Sequence, residues 1–209
     1  GLPVLQTYGL TEAASQVATL SDADALRKLG SAGQALPVTT LAVTTEGQSA
    51  AANEVGEILV AGPTVTPGYL GRPIESAAAL EDGWLHTGDL GYLDDEGYLY
   101  IADRRDDLIV TGGENVYPAE VEAALTTHPA VLEAAVVGLE DARWGHTVAA
   151  VIVPREGDPP TEAALSDHLR ATLAGYKVPR RFEFSTDPLP RTASGKLQRH
   201  LVRASLTSD

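Results

Sequence analysis

The chain has 209 residues, of which 44% are apolar and 21% charged, a balance typical of globular proteins with a buried core. Its formal net charge of −14 argues against nucleic acid as a partner, because nucleic-acid binding needs concentrated positive charge. The absence of cysteine excludes disulfides and thiol nucleophiles, and no apolar run reaches membrane-spanning length. We therefore expect a cytoplasmic protein without a membrane span.

The first half of the chain is predicted to be rich in β-strands. Short β-type runs occur at 41–43 and 57–60, and the runs at 90–93 and 98–102 flank a turn that contains Gly97. Because glycine adopts positive φ readily, such a turn favours a β-hairpin.

The second half is predicted to be a small α+β domain. Pro118 stands where a helix tolerates proline best, and Thr161 is a suitable N-cap for a second helix with leucines on one face. The predicted order is strand, helix, two strands and helix, at 108–110, 118–126, 131–138, 147–153 and 161–174. We place the boundary between the halves near the charged segment 103–106.

The first chemistry-bearing segment is Tyr8-Gly9-Leu10-Thr11-Glu12. A tyrosine can stack on a base, a threonine hydroxyl can bond a phosphate oxygen, and a carboxylate can hold Mg²⁺. The alternative is an ordinary loop followed by a helix cap.

The second segment is 82–89, which ends in Gly88-Asp89. A carboxylate after a tight glycine turn can accept hydrogen bonds from both hydroxyls of a ribose. The alternative is an aspartate that bonds its own backbone in the turn. We interpret His86 in this segment as structural or exposed.

The third segment, 103–118, combines charged residues with the glycine pair Gly112-Gly113. Arg104 offers a fixed fork of donors for ribose or phosphate oxygens, and paired glycines let a ligand approach the backbone closely. The alternative is a charged turn and a glycine loop before a helix.

The fourth segment, 190–199, carries Lys196, one of only three lysines, in a loop of small residues. An ammonium group there can offset negative charge that builds on phosphorus during phosphoryl chemistry. The alternative is a solvated loop near the end of the chain.

Together these four segments, in this order and spacing, resemble the adenylate-forming superfamily of acyl- and aryl-CoA synthetases, luciferases and peptide-synthetase adenylation domains. The resemblance extends from Gln6 to Arg203. It implies an α+β fold in which 1–103 is the end of a large AMP-binding domain and 104–209 is a mobile lid. Within the first part, 1–36 is the end of the domain core and 37–102 is a β-rich subdomain.

The resemblance implies a reaction in two halves: a carboxylate attacks ATP to form an acyl-adenylate, and the thiol of CoA then displaces AMP. For the nucleotide, it implies contacts from Tyr8 to adenine, Thr11 to phosphate, Glu12 to Mg²⁺, and Asp89 to ribose with Arg104 beside it, and it makes Gly9 a further cofactor-binding residue. It implies that Lys196 bridges the α-phosphate and the ribose or carboxylate oxygens. Thr11, Glu12 and Lys196 are thereby the expected catalytic residues.

For the second half-reaction, the resemblance makes Asp106 the hinge about which the lid rotates. Gly112 and Gly113 would then line the pantetheine tunnel, and Trp144 matches a position that contacts CoA in some aryl-CoA ligases; the alternative for Trp144 is a core tryptophan. Ser15 and Gln16, from their position in the loop after the first motif, are expected to face the acyl group.

Three stretches, 6–20, 28–33 and 113–122, resemble the o-succinylbenzoate–CoA ligases of menaquinone biosynthesis. The alternatives are a fatty-acyl or aryl-CoA synthetase, an adenylation domain that loads a carrier protein, and an inactive nucleotide-binding module. The glycine-rich phosphate loop of the superfamily is not present in the sequence, so we expect the chain to need an N-terminal half for the overall reaction. The expected partners are ATP, CoA, a small organic acid and this half; a homo-oligomer is also possible.

Overall fold

The computed structural model describes residues 4–157, 159–193 and 195–207. The chain divides into two compact units, Gly1–Arg105 (unit 1) and Asp106–Asp209 (unit 2). The division follows Arg105, whereas the sequence analysis placed it after residue 103. That unit 2 is a mobile lid stays a prediction.

Strands predominate in unit 1, and both units mix strands with short helices, so the predicted α+β class is confirmed. Within the described residues, strands β1 to β14 are Thr7–Leu10, Ser15–Thr19, Gln34–Ala35, Thr40–Thr45, Gln48–Ser49, Gly56–Ala61, Leu80–Glu81, Trp84–Leu93, Leu99–Arg104, Ile109–Thr111, Glu114–Val116, Val131–Asp141, Gly145–Pro154 and Arg181–Phe184. Helices α1 to α4 are Pro73–Ala79, Pro118–Thr126, Glu162–Arg170 and Arg199–Thr207, and single 3-10 turns lie at Thr11–Ala13, Arg105–Asp107 and Gly175–Lys177. None of these helices is long and apolar enough to cross a membrane.

Unit 1 contains two antiparallel sheets that share one hydrophobic core. Strands β1, β2 and β3 form the smaller sheet, and β5-β4-β6-β8-β7, with β9 beside β8, form the larger one. The core joins Tyr8 and Val17 of the smaller sheet to Ile58, Leu85 and Leu99 of the larger sheet. The packing of these apolar side chains therefore brings the first and second sequence motifs together.

The hairpin predicted around Gly97 is confirmed. Strands β8 and β9 are antiparallel, with Leu93 opposite Leu99, and Gly97 has a φ of 78° in the connecting turn. The Asp94 carboxylate accepts hydrogen bonds from the backbone N–H groups of Glu96 and Tyr98, both at 2.9 Å, which stabilises the turn.

Unit 2 is a five-stranded sheet with helices on both faces. The strand order is β11-β10-β13-β12, and β14 lies parallel to β13. Val121 of α2 and Leu165 of α3 are buried with residues on one face, while Val202 of α4 is buried with residues on the other. Burial on both faces explains the nearly continuous apolar run in β13.

Several predicted elements of unit 2 are confirmed, but β12 and β13 are longer than predicted and α3 is shorter. Helix α2 has the predicted bounds, and the Thr161 hydroxyl caps α3 by accepting the N–H of Ala164. Helix α3 ends at Arg170, earlier than the predicted residue 174, and Ala174 is extended at the start of the 3-10 turn that follows. Strands β11 and β14 and helix α4 were not predicted.

Candidate functional site

In unit 1 the carboxylate of Asp89 is held by a hydrogen bond at each oxygen. The Tyr8 hydroxyl donates to Oδ2 at 2.7 Å, and Arg104 Nε donates to Oδ1 at 3.0 Å. The Asp89 side chain is 14% exposed and that of Arg104 is 65% exposed, so the carboxylate lies beneath an open guanidinium group. The structure thus brings together three of the predicted nucleotide-binding residues.

Sheet pairing accounts for this arrangement. Asp89 on β8 is directly opposite Arg104 on β9. The preceding Gly88 has a φ of 70°, and the neighbouring Thr87 hydroxyl donates to the Ile58 carbonyl and accepts the N–H of Asp89. The glycine and the threonine therefore shape an irregular segment of β8 from which the carboxylate projects.

Burial raises the pKa of Tyr8, and its hydrogen bond to Asp89 raises it further. The phenol therefore remains a neutral donor at physiological pH. A carboxylate oxygen can accept more than one hydrogen bond, so Asp89 keeps acceptor capacity for two vicinal hydroxyls while Tyr8 and Arg104 fix its orientation.

Thr11 and Glu12 lie in the 3-10 turn that follows β1. Glu12 Oε1 accepts a 2.9 Å hydrogen bond from the Tyr69 hydroxyl, and the Glu12 carbonyl accepts the N–H of Thr66 at 2.7 Å. The hydrogen bond to Glu12 raises the pKa of Tyr69. Tyr69, which sequence analysis missed because it lies 57 residues away, therefore orients the predicted Mg²⁺ ligand.

The Glu12 side chain is suited to bind a Mg²⁺ ion that arrives with a nucleotide. No cluster of three or more histidine or acidic residues suited to a metal occurs in the described part of the chain. Mg²⁺ commonly binds one or two carboxylates together with substrate phosphates, so a single oriented carboxylate beside a threonine hydroxyl fits such an ion.

Gly9 has a packing role that the sequence did not indicate. A Cβ at Gly9 would lie 1.9 Å from the carbonyl oxygen of Ser15, on the paired strand β2. The close approach of β1 and β2 therefore requires glycine at this position, and its contact with a nucleotide stays a prediction.

Ser15 and Gln16 begin strand β2, so their predicted place in a loop is wrong. The hairpin between β1 and β2 pairs Gly9 with Gln16 and Leu10 with Ser15. Ala14 and Ser15 have φ values of 54° and 100°, which non-glycine residues rarely adopt. This strained segment presents both predicted acyl-group residues on the exposed surface of unit 1.

Gly112 and Gly113 form the turn of a β-hairpin between β10 and β11. Thr111 pairs with Glu114, and the glycines have φ values of 60° and 87°. Two consecutive positive φ angles are the pattern of a two-residue hairpin turn, for which Gly-Gly is a common sequence. The sequence analysis interpreted the glycine pair as a site of ligand approach or as a glycine loop before a helix, and did not predict this hairpin.

Trp144 lies in the turn between β12 and β13 and is only partly buried, so its alternative interpretation as a core tryptophan is wrong. The Asp141 carboxylate accepts the N–H groups of Arg143 and Trp144, which lowers the pKa of Asp141. The guanidinium groups of Arg143 and Arg180 lie 4.6 and 5.1 Å from the indole ring centre. Arg180 was not identified from the sequence because strand β13, helix α3 and a 3-10 turn separate it from Trp144 along the chain.

Trp144 also packs against Gly112, the first glycine of the turn between β10 and β11. Its carbonyl accepts the N–H of Gly112 at 2.8 Å, and a Cβ at Gly112 would lie 2.9 Å from Trp144 Cε3. The structure thus brings the predicted CoA residues Gly112 and Trp144 into contact within unit 2.

Lys196 is exposed in a small hairpin-like loop. Arg191 and Leu197 form an isolated bridge, and Thr192 and Lys196 bond each other through backbone and side-chain atoms. Ser194, which belongs to the predicted motif, lies outside the described residues. Among the described residues of this loop, Arg191, Thr192 and Lys196 are exposed, as the alternative interpretation held, and the bonds between Thr192 and Lys196 join its two sides.

Asp106 is exposed in the 3-10 turn Arg105–Asp107, and the division between the units precedes it. Tyr8, Glu12, Asp89 and Arg104 belong to unit 1, whereas Lys196 belongs to unit 2. A hinge at Asp106 stays a prediction.

Comparisons with known proteins give two family matches. The family described as AMP-binding enzyme matches residues 1–70, and the AMP-binding enzyme C-terminal domain matches residues 120–196. A 2-succinylbenzoate–CoA ligase from Geobacillus kaustophilus is 54% identical over 203 residues, which are 97% of this chain and 41% of that protein.

Two solved structures of the o-succinylbenzoate–CoA synthetase from Bacillus subtilis share the fold. One, in complex with the acyl-adenylate intermediate OSB-AMP, is 47% identical with a TM-score of 0.90, over 99% of this chain and 41% of that one. The other, in complex with ATP and magnesium, is 48% identical with a TM-score of 0.88, over 95% of this chain and 41% of that one. The chain thus spans about two fifths of the length of these relatives, and with its two family matches it belongs to the AMP-binding enzymes.

Proposed function

We propose that this chain is part of an ATP-dependent acid–CoA ligase that activates o-succinylbenzoate. The observation that carries the proposal is the carboxylate of Asp89, which Tyr8 and Arg104 hold in one orientation. A fixed acceptor of this kind suits the two hydroxyls of a ribose. The identity of 54% to a 2-succinylbenzoate–CoA ligase supports the choice of acid.

In the first half-reaction, an oxygen of the substrate carboxylate attacks the α-phosphorus of ATP, and pyrophosphate leaves. We assign the ribose hydroxyls to Asp89, adenine to the side of Tyr8 and a phosphate oxygen to the Thr11 hydroxyl. Mg²⁺, when bound at Glu12, would offset the charge of the phosphates. Tyr69 holds Glu12 for this role through its 2.9 Å hydrogen bond.

Lys196 supplies a positive charge to the same half-reaction. Its ammonium group offsets the charge that develops on the oxygens of the pentavalent phosphorus. Lys196 is exposed and its backbone is hydrogen-bonded to Thr192, which suits a side chain that enters a cleft from outside.

In the second half-reaction, the thiol of CoA attacks the acyl carbonyl carbon, the thioester forms and AMP leaves. We assign Asp106 as the hinge that lets unit 2 serve this step, and Gly112, Gly113 and Trp144 as the surface along which CoA lies. The arginines that flank the Trp144 ring support this assignment, because CoA carries several phosphate charges.

The test uses a hybrid ligase, in which this chain is joined to the portion of the Geobacillus kaustophilus enzyme that it does not match. Pyrophosphate release is measured with o-succinylbenzoate, benzoate and fatty acids, for the hybrid ligase and for the chain alone. We expect release with o-succinylbenzoate from the hybrid ligase.

Each other outcome points to a different function. Preference for a fatty or aryl acid moves the assignment to the corresponding CoA synthetase. Release that is followed by thioester formation only on a carrier protein indicates a carrier-loading adenylation domain. Nucleotide binding without pyrophosphate release with any acid contradicts the proposal and indicates an inactive nucleotide-binding module.

A further inference from the structure

Two arginines, Arg191 and Arg199, hold the two ends of the loop that carries Lys196. At the first end, Arg191 donates to Glu133 on β12 at 2.6 Å and to the Gly195 carbonyl at 3.1 Å. At the other end, Arg199 begins helix α4, three residues after Lys196. The position of the lysine therefore depends on what these two guanidinium groups contact.

Of the two arginines, Arg199 makes the contacts that are better shielded from solvent. Its Nη2 donates to Glu122 on α2 at 2.7 Å, and its Nη1 donates to Asp107 at 3.1 Å. The side chains of Arg199 and Glu122 are each 16% exposed, and that of Asp107 is 24% exposed. Ion pairs with this degree of burial hold geometry more firmly than pairs on the open surface, where solvent screens them.

Glu122 extends the attachment to the central sheet. While its Oε2 accepts from Arg199, its Oε1 accepts the backbone N–H of Val136 on β12 at 2.8 Å. Arg199 is thereby connected to a helix, a strand and the first turn of unit 2 through a planar group whose donors have fixed directions.

The attachment reaches Lys196 through the backbone. The N–H of Gln198 donates to the Pro190 carbonyl at 2.9 Å, and Lys196 and Thr192 are bonded across the loop. A shift of Arg199 would therefore displace the closing end of the loop and, with it, the base of the lysine side chain.

We propose that Arg199 is a positioning residue for adenylation: it holds the loop so that Lys196 reaches the α-phosphate in the first half-reaction. The proposal rests on the function assigned above to Lys196. The role of Arg199 is assigned through its contacts with Glu122 and Asp107. A purely structural role in attaching α4 would instead affect stability and both half-reactions alike.

The activity test uses the hybrid ligase with Arg199→Met, which keeps a long apolar stem but removes the guanidinium donors. Adenylation is followed by pyrophosphate release, and thioester formation is followed from supplied OSB-AMP and CoA. We expect adenylation to fall about 10- to 100-fold, because small displacements of catalytic groups have effects of this size. The rate of thioester formation should stay within about twofold of the parent rate, so that the two half-reactions are affected differently.

A double-variant cycle with Lys196→Ala tests whether Arg199 acts through the lysine. Once Lys196 is absent, Arg199→Met should cause no further loss of adenylation. Arg199→Lys should restore part of the rate, and Arg170→Met is the control, since Arg170 pairs with Asp167 on an exposed helix face. Equal losses in both half-reactions, or the full loss in the Lys196→Ala background, would overturn the proposal.

Backbone amide exchange in the 209-residue chain tests the attachment without reference to activity. The amides of Lys196 and Gln198 should exchange faster in Arg199→Met, while those within α2 keep their protection. Asp107→Asn, which is a milder change, should give a smaller effect in the same direction. Unchanged exchange in both variants overturns the attachment, whereas a parent hybrid ligase that releases no pyrophosphate overturns the function assigned above.

Discussion

The Tyr8 hydroxyl donates a 2.7 Å hydrogen bond to Asp89 Oδ2 and so joins two strands whose residues are 81 positions apart in the sequence. The bond connects the smaller sheet of unit 1 to the larger one at the edge of their shared core. Because Arg104 holds the other oxygen of Asp89, two of the predicted sequence motifs and the start of the third meet at a single carboxylate.

This relationship predicts that Tyr8→Phe weakens nucleotide binding. The substitution keeps the ring but removes one donor to a charged acceptor, a loss of about 1.5 to 3 kcal/mol for such hydrogen bonds. We expect the Kd for AMP to rise by at least about tenfold in the hybrid ligase, measured by calorimetry. Asp89→Asn should weaken binding more, since it also changes an acceptor to a donor.

Tyr92→Phe is the matched control for Tyr8→Phe. Tyr92 lies on the same strand as Asp89, and its ring stacks on Tyr100 at 4.8 Å. An equal loss of AMP affinity in both variants would mean that the Tyr8 bond to Asp89 does not serve the nucleotide.

Tyr69→Phe is predicted to raise the Mg²⁺ requirement of adenylation. The variant removes the hydroxyl that orients Glu12, and loss of such a partner commonly weakens metal binding about 10- to 100-fold. The Mg²⁺ dependence of pyrophosphate release and the calorimetric affinity for ATP with and without Mg²⁺ measure the effect. Tyr100→Phe is the control. If Tyr69→Phe shows the same Mg²⁺ dependence as this control, Tyr69 has no orienting role.

The loop before β3 carries an ionic cluster that should make the stability of unit 1 sensitive to acid. Asp24 accepts hydrogen bonds from Ser21, Tyr98 and Arg27, and these lower the pKa of its carboxyl from 3.8 to about 2. The folded state therefore favours the carboxylate. The resulting stabilisation is fully present above the unfolded pKa of 3.8 and is lost as the pH falls towards 2.

We predict that Asp24→Asn reduces this loss. Urea unfolding between about pH 4 and pH 2, the interval between the two pKa values, should show a shallower fall of the unfolding free energy than in the parent. In a Trp144→Phe background, the fluorescence of Trp84 reports on unit 1, and Asp22→Asn in the same loop is the control. Parallel pH profiles for the parent and Asp24→Asn would show that the pKa of Asp24 is not linked to folding.

Local patterns in the sequence were sufficient for the elements that carry their own signals. Proline at the start of α2, the Thr161 cap of α3 and the glycine turn after Asp94 each predicted an element that the structure contains. Helix α4 was missed although its buried residues, Val202 and Leu206, stand four positions apart, which is the spacing of one face of an amphipathic helix.

The candidate site was harder to predict because its contacts join distant parts of the chain. The motifs named Tyr8, Asp89 and Arg104, but nothing local indicated that one carboxylate connects them. Tyr69 is 57 residues from Glu12, and Arg199 is 77 residues from Glu122, so neither pair leaves a periodic signal. Such partners follow from tertiary packing, which a single sequence does not encode in any short window.

Asp106→Pro tests the predicted hinge. Proline fixes φ near −65° and so restricts the change in backbone conformation that a hinge needs. In the hybrid ligase we expect adenylation within about threefold of the parent and thioester formation from OSB-AMP reduced at least about tenfold, a split that separates the two half-reactions. Asp106→Ala, which leaves φ free, should change both rates little; full thioester formation by Asp106→Pro would contradict the hinge.

The most direct test of the account compares the two half-reactions in Lys196→Ala of the hybrid ligase. Removal of the ammonium group should reduce pyrophosphate release from ATP and o-succinylbenzoate by at least about 100-fold, the effect of losing one electrostatic contact to the transition state. Thioester formation from OSB-AMP and CoA should remain within a few fold of the parent. Equal loss in both half-reactions, or unchanged adenylation, would contradict the role assigned to Lys196.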